Sequence, residues 1–160
     1  MSCVNFFNFR TEGYGVKNSA GPFGLSAGLE YGYSPVYSMA LTVGAATDNL
    51  LTASEFLNGE SFSSIYATLV HQTRIHEYVL AGAGLSYGLN IFSQWDNSTR
   101  NGRLSERYGT LGLAFTAYYT INRYFMLGVV YRTSYYRFGM TAPWSYEHVI
   151  SFDLLLNLKW

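Results

Sequence analysis

Three histidines, a single cysteine and the late trio Glu147, His148 and Ser151 are the residues of this 160-residue chain with the types to do chemistry. A hydrolytic site needs a nucleophile, a base within hydrogen-bond reach and an acid to orient the base. The trio supplies those types, but His148 and Ser151 are three residues apart, which puts them on opposite faces of any strand. A working triad would then have to borrow Glu147 from neighbouring loops. His71 and His76 lie beside a short turn, and with Cys3 and His148 they offer no ligand spacing for a metal. Cys3, after Ser2, reads either as a free thiol or as the remnant of a lipoprotein-processing site. No catalytic residue, metal or cofactor is assigned on these grounds.

The elements that would position such groups follow from composition. Ten basic and ten acidic residues cancel, so nothing points to nucleic acid or a polybasic anchor. Charged residues make up 12% of the chain and aromatics 18%, with fifteen Tyr, eleven Phe, sixteen Gly and three Pro. That charge is about half the share of an ordinary soluble domain, too little to wet the surface of a single 160-residue domain spanning residues 1–160. The apolar load excludes disorder, and one cysteine excludes a disulfide scaffold. No signal-peptide core follows Met1, so an exported protein would correspond here to a mature chain.

From Tyr78 to Trp95 the chain carries no formal charge, long enough for a membrane helix. Yet Val79, Ala81, Ala83, Leu85, Tyr87, Leu89 and Ile91 alternate with Gly82, Gly84, Ser86, Gly88 and Asn90. A period of two belongs to a strand. The same alternation runs from Phe23 to Ser34, Tyr37 to Ala45, Gly109 to Thr120, Phe125 to Tyr136 and Ile150 to Trp160. Val4 to Val16 and Phe62 to His71 are also strands, with either face able to be the apolar one. Short turns are expected at Ser34-Pro35-Val36, Thr73-Arg74-Ile75 and Asn122-Arg123-Tyr124. Longer connections are expected at Lys17 to Pro22, Ala46 to Ser61, Gln94 to Arg107 and Gly139 to Tyr146. Within the loops, Thr52 and Glu55 read as a capped helical turn and Asn101-Gly102 as a hairpin tip. Asn97-Ser98-Thr99 fits a glycosylation sequon. Acidic Asp48, Glu55 and Glu60 could face Arg100, Arg103 and Arg107 of the next loop.

Eight strands with alternating short and long connections predict an all-β, eight-stranded antiparallel up-and-down transmembrane β-barrel. The small face of Gly, Ser, Thr and Ala carries only Arg10, Glu12, Glu30, Arg132, Asp153 and Lys159 as charges. Six charges could not solubilise an exterior but could fill a narrow interior, so the apolar face is assigned to lipid. Only a closed barrel pairs every backbone group of strands placed in hydrocarbon. Arg10, Glu12, Glu30, Arg132 and Asp153 are expected to form an interior ionic network, with Arg132 opposite Asp153, Arg10 level with Glu30, and Lys159 near the short-turn mouth. Unpaired, such charges would carry a desolvation penalty of several kcal/mol. Tyr37, Tyr119, Phe125 and Trp160 would mark the short-turn interface, and Phe23, Tyr87 and Tyr135 the long-loop interface.

The C-terminal FDLLLNLKW places Phe152, Leu154, Leu156, Leu158 and Trp160 on one face and ends on an aromatic. It resembles the terminal-strand signal that bacterial outer-membrane proteins present to the barrel assembly machinery. The whole chain resembles the small eight-stranded outer-membrane barrels, the family of the outer membrane protein A transmembrane domain and outer membrane proteins X and W. That resemblance implies a porin-like architecture in the Gram-negative cell envelope, in contact with outer-membrane lipid and lipopolysaccharide. It also implies a salt-bridged bore and a structural, adhesive or surface-interaction role exerted through the loops on an extracellular protein. The alternative it implies is a conduit or binding site for a small hydrophobic ligand, as in outer membrane protein W, with a pocket under the long loops formed by Tyr118, Val130, Tyr136 and Phe138. A third reading is a lipid A-modifying enzyme, but the deacylase of that architecture spaces its His and Ser one residue apart, unlike His148 and Ser151.

Overall fold

The computed structural model describes residues 2–12, 19–21, 23–47, 61–96, 102–137 and 144–156. Its strands are β1 (Ser2–Glu12), β2 (Ser19–Gly21), β3 (Phe23–Gly32), β4 (Tyr37–Thr47), β5 (Ser61–His76), β6 (Val79–Asp96), β7 (Gly102–Thr120), β8 (Phe125–Arg137) and β9 (Trp144–Leu156). Sequence neighbours from β3 to β9 pair antiparallel, and β9 pairs back onto β1. β2 and β3 both lie against β1 in one continuous register, Arg10 opposite Ser19 and Asn5 opposite Gly24. They are two pieces of a single stave. Among the described residues nine segments therefore make an eight-stave closed barrel.

The staves are tilted. Following register partners from Ser2 leads through Ala27, Val43, Ala67, Tyr87, Leu111 and Tyr135 to Tyr146. Tyr146 adjoins Glu147, the partner of Glu12, so the circuit returns at the other end of β1. A stagger of about ten residues over eight staves corresponds to a strand tilt of about 40°, in the range that closes a small barrel.

Alternation sorts the side chains as polarity demands. Leu29 is 77% exposed and Leu111 62%, whereas Tyr136 and Ser151 are each 1% exposed. In β5, Ile65 and Leu69 face out while Tyr66, Thr68, Val70 and Gln72 face in, which resolves one of the two ambiguous strands. The other, β1, has a bulge between Asn5 and Phe7. Val4 pairs with Leu154 and Phe7 with Phe152, so the ladder parity of β1 changes across the bulge. That parity switch is why neither face of this segment stood out in the sequence.

Two turns fall where expected and explain themselves. Ser34 Oγ accepts the amides of Val36 at 3.2 Å and Tyr37 at 2.9 Å. Asn122 Oδ1 accepts those of Tyr124 at 2.8 Å and Phe125 at 3.0 Å. The turn expected at Thr73-Arg74-Ile75 lies instead at Glu77 and Tyr78, because β5 runs on to His76 through a register irregularity after Arg74. The connection expected from Gln94 to Arg107 is mostly strand. Trp95 pairs with Arg103 and Asp96 with Gly102. Likewise β2 occupies part of the segment read as a loop from Lys17 to Pro22. The Thr52–Glu55 turn and the Asn97 sequon lie outside the described residues, as do Asp48, Glu60 and Arg100.

On β7 the outward residues from Tyr119 to Leu111 are apolar, then give way to Gly109 and the exposed Arg107. That apolar run of about nine residues is what a tilted strand needs to cross a bilayer. β6 and β7, at 18 and 19 residues, are far longer, so their hairpin extends past the apolar belt. Tyr37, Tyr119 and Phe125 are exposed at the short-turn side, and Tyr87 and Tyr135 toward the other. A wall of exposed Leu, Val, Ile and Phe on a closed sheet is stable only against lipid, where each such side chain avoids about 1.5–3 kcal/mol of hydration cost. The barrel spans a membrane.

Candidate functional site

Among the described residues the bore holds three layers of side chains. Nearest the short turns, Leu80, Tyr118, Met126, Val130 and Leu155 form an apolar plug. Gly128 makes room for it, since a Cβ there would overlap the Tyr118 ring. Above the plug lies a polar layer around Arg132, which is 5% exposed. Its guanidinium carbon sits 3.7 Å from the centroid of the Tyr66 ring, a desolvated cation–π contact. The void left between Tyr66, Thr68, Gln72, Thr116, Arg132, Ser151 and Asp153 is only about 20 Å³. Toward the long loops, Tyr108 and Tyr136 rings meet at 4.6 Å. Beside them Asn90 Nδ2 donates to the buried carboxylate of Glu147 at 2.9 Å.

The residues expected to form an ionic network are placed as follows. Arg132 and Asp153 are both buried and line the same void, but they are not opposite each other: Arg132 pairs with Val149, and Asp153 with Gly128. Glu30 is exposed, at the short-turn end of β3, in the ladder position opposite Ala40. It is not level with Arg10, whose partner Ser19 lies on the order of 35 Å further along the same stave. Arg10 and Glu12 occupy ladder positions opposite Val149 and Glu147. Lys159 lies outside the described residues.

The expected pocket residues are also separated. Tyr118 and Val130 belong to the lower plug, while Tyr136 is roughly 25 Å further along the wall and stacks on Tyr108. Phe138 lies outside the described residues. Of the C-terminal signal, Phe152 and Leu154 face outward on β9 and Leu156 ends it, pairing with Phe125, while Leu158 and Trp160 lie outside the described residues.

The catalytic search meets a wall between its members. Ser151 and Glu147 point into the bore, whereas His148 is half-buried on the outer face. There Tyr131 Oη and His148 Nδ1 are hydrogen-bonded at 2.7 Å with rings stacked at 9°. Among the described residues no cluster of three His, Cys, Asp or Glu could hold a metal. Glu147 and Tyr66 are interior residues that sequence reasoning did not place in the bore, whereas Asn90 was already on the small face assigned to it. The signal for Glu147 was present, since it shares parity with Ser151 and Asp153.

No family model and no curated protein matches the sequence. Solved structures do. Ail, the attachment invasion locus protein of Yersinia pestis, superposes with a TM-score of 0.63 over 97% of this chain and 94% of its own, at 16% identity. The chain has the fold of the small outer-membrane β-barrels. Neisserial surface protein A matches with a TM-score of 0.60 at 13% identity, covering 98% of this barrel and 95% of that chain. The same Ail in complex with the heparin analogue sucrose octasulfate gives 0.61 at 14% identity, over 97% and 94% of the two chains.

Proposed function

We propose that this barrel is an outer-membrane anchor whose surface-interaction role is exerted by its long-loop end, with a bore that conducts nothing. The observation that supports the reading is the packing of the described bore residues: an apolar plug, the Arg132–Tyr66 contact around a void of about 20 Å³, and the Tyr108–Tyr136 stack, while the larger void of about 400 Å³ is lined mainly by outward residues of β7, β8 and β9. A conduit for small hydrophobic molecules needs open space beneath the loops, which is where that aromatic stack sits. The residues with nucleophile, base and acid character are divided between bore and outer wall, so no catalytic role, lipid A chemistry included, is assigned. Outer-membrane lipid and lipopolysaccharide are the partners of the wall, and the assembly machinery is the partner of the β9 terminal segment. Arg107, exposed just above the apolar belt, is at the right level for anionic headgroups. An extracellular sulfated polysaccharide or protein is the partner of the loops. The resemblance to an attachment protein, one of whose structures holds a heparin analogue, supports that choice.

The test uses the folded barrel in nanodiscs. Saturable, salt-sensitive retention on immobilised heparin or host-cell matrix, lost when residues 97–101 and 48–60 are replaced by short Gly-Ser turns, supports the reading. Undiminished retention by the loop-shortened barrel, or none by the intact one, overturns it.

A further inference from the structure

We infer that the bore contains a single-water site between Thr116 of β7 and Arg132 of β8. Both residues are more than nine-tenths buried, Thr116 at 8% and Arg132 at 5% exposure. Thr116 Oγ1 and Arg132 Nε are the two buried side-chain polar atoms among the described residues that have no hydrogen-bond partner. Both residues line the same void of about 20 Å³. Thr116 is opposite Val130 in the ladder, so Arg132 is its diagonal neighbour on the same inward face. Diagonal pairs are about 7–8 Å apart, and at this spacing the two atoms make no direct bond, which leaves each of them open to one bridging molecule.

Size and chemistry select the occupant. A void needs about 10–15 Å³ to hold one water, and a buried water makes about three hydrogen bonds. A hydrated ion or an organic ligand does not fit. Nε–H of Arg132 donates to the water oxygen, and one water proton is donated to Thr116 Oγ1. The second proton is donated to a Ser151 or Asp153 oxygen, both of which line the void. The wall around the site is shaped to keep it: a Cβ at Gly82 would lie 2.8 Å from Thr116 Oγ1 and 2.6 Å from Val70 Cγ1. The water sits just above the apolar plug, two of whose members, Tyr118 and Val130, also line the void. It satisfies both orphan atoms, and it does so whatever the loops bind.

Nuclear magnetic resonance on the full-length, 15N-labelled barrel in nanodiscs tests this. The Arg132 Hε resonance, assigned by its loss in Arg132→Lys, is expected to exchange slowly and to show a dipolar cross-peak to a long-lived water. Thr116→Ser keeps the hydroxyl and the cross-peak. Thr116→Val, near-identical in shape, loses the cross-peak while retaining the heat-modifiable gel mobility of a folded barrel. Should Thr116→Val fail to fold, Thr116→Ala, which also lacks the hydroxyl and adds no atom to the wall, is expected to lose the cross-peak in its place. An Arg132 Hε that exchanges at bulk-solvent rate, or that shows no water cross-peak in the unmodified protein, overturns the site. So does a cross-peak that persists unchanged in a folded Thr116→Val.

Discussion

Arg132 and Tyr66 reach each other across the bore, from β8 and β5, with the guanidinium carbon 3.7 Å from the ring centroid. The contact depends on a third position. A Cβ at Gly44 would lie 2.5 Å from Tyr66 Cζ and 2.7 Å from Ser26 Cβ, so only glycine leaves the ring its place. Removing either partner unblocks the polar layer. Tyr66→Ala is expected to destabilise the barrel by about 3–5 kcal/mol, as for other buried aromatics. It is also expected to raise single-channel conductance in planar bilayers above the silent baseline of the unmodified protein. Steady conductance from the unmodified protein would contradict the closed bore.

Glycine placement predicts a graded series. Gly44→Ala overpacks the Tyr66 seat and is expected to cost about 1–3 kcal/mol in urea-unfolding titrations. Gly112→Ala would drive a methyl into the Thr133 carbonyl oxygen, a backbone atom that cannot turn aside, so failure to fold is expected. Gly109→Ala meets nothing closer than Tyr87 Oη at 3.5 Å and is expected to be neutral or slightly stabilising, by up to about 1 kcal/mol. Equal effects at all three positions would mean that the inward packing is wrong.

Asn90 and Glu147 are joined at 2.9 Å within the buried upper layer. A hydrogen bond to a charged group contributes about 1.5–3 kcal/mol, so Asn90→Ala should lower stability by that amount, and Glu147→Gln by less because the amide oxygen still accepts. Stability of Asn90→Ala, of Glu147→Ala and of their double variant, measured in the same micelles, gives the coupling directly. A coupling near zero would place the two side chains apart.

The lipid-facing assignment is tested at Leu113, near the middle of the outward run on β7 and 47% exposed. Leu113→Arg is expected to cost about 2–4 kcal/mol in bilayers, while Arg107→Leu, above the belt, should change stability by less than about 1 kcal/mol. A well-tolerated Leu113→Arg would mean that this face meets water.

Much of the fold was legible because a barrel in lipid needs strict alternation, and alternation is visible in a single strand. His148 and Ser151 could be assigned to opposite faces by counting alone, and they are. Glu30 could not be placed the same way: its parity is inward, but it is exposed at the short-turn end of β3. The bulge between Asn5 and Phe7 erased the pattern of β1, since one extra residue exchanges faces. Glu147 was read as a loop residue because its strand starts earlier than its apolar run suggests, held there by pairing to β8 and β1.

Residue order by itself determined that the chain forms short-turned antiparallel strands with one greasy and one small face, because period-two patterning is a local property of each segment. It also determined which solvent that greasy face must meet, because so few charges cannot wet a sheet. Only the closed tertiary structure decided which inward residues share a height. Arg132 met Tyr66 rather than a carboxylate directly opposite, and Tyr118 parted from Tyr136, because tilt and stagger are set by the whole ring of staves at once.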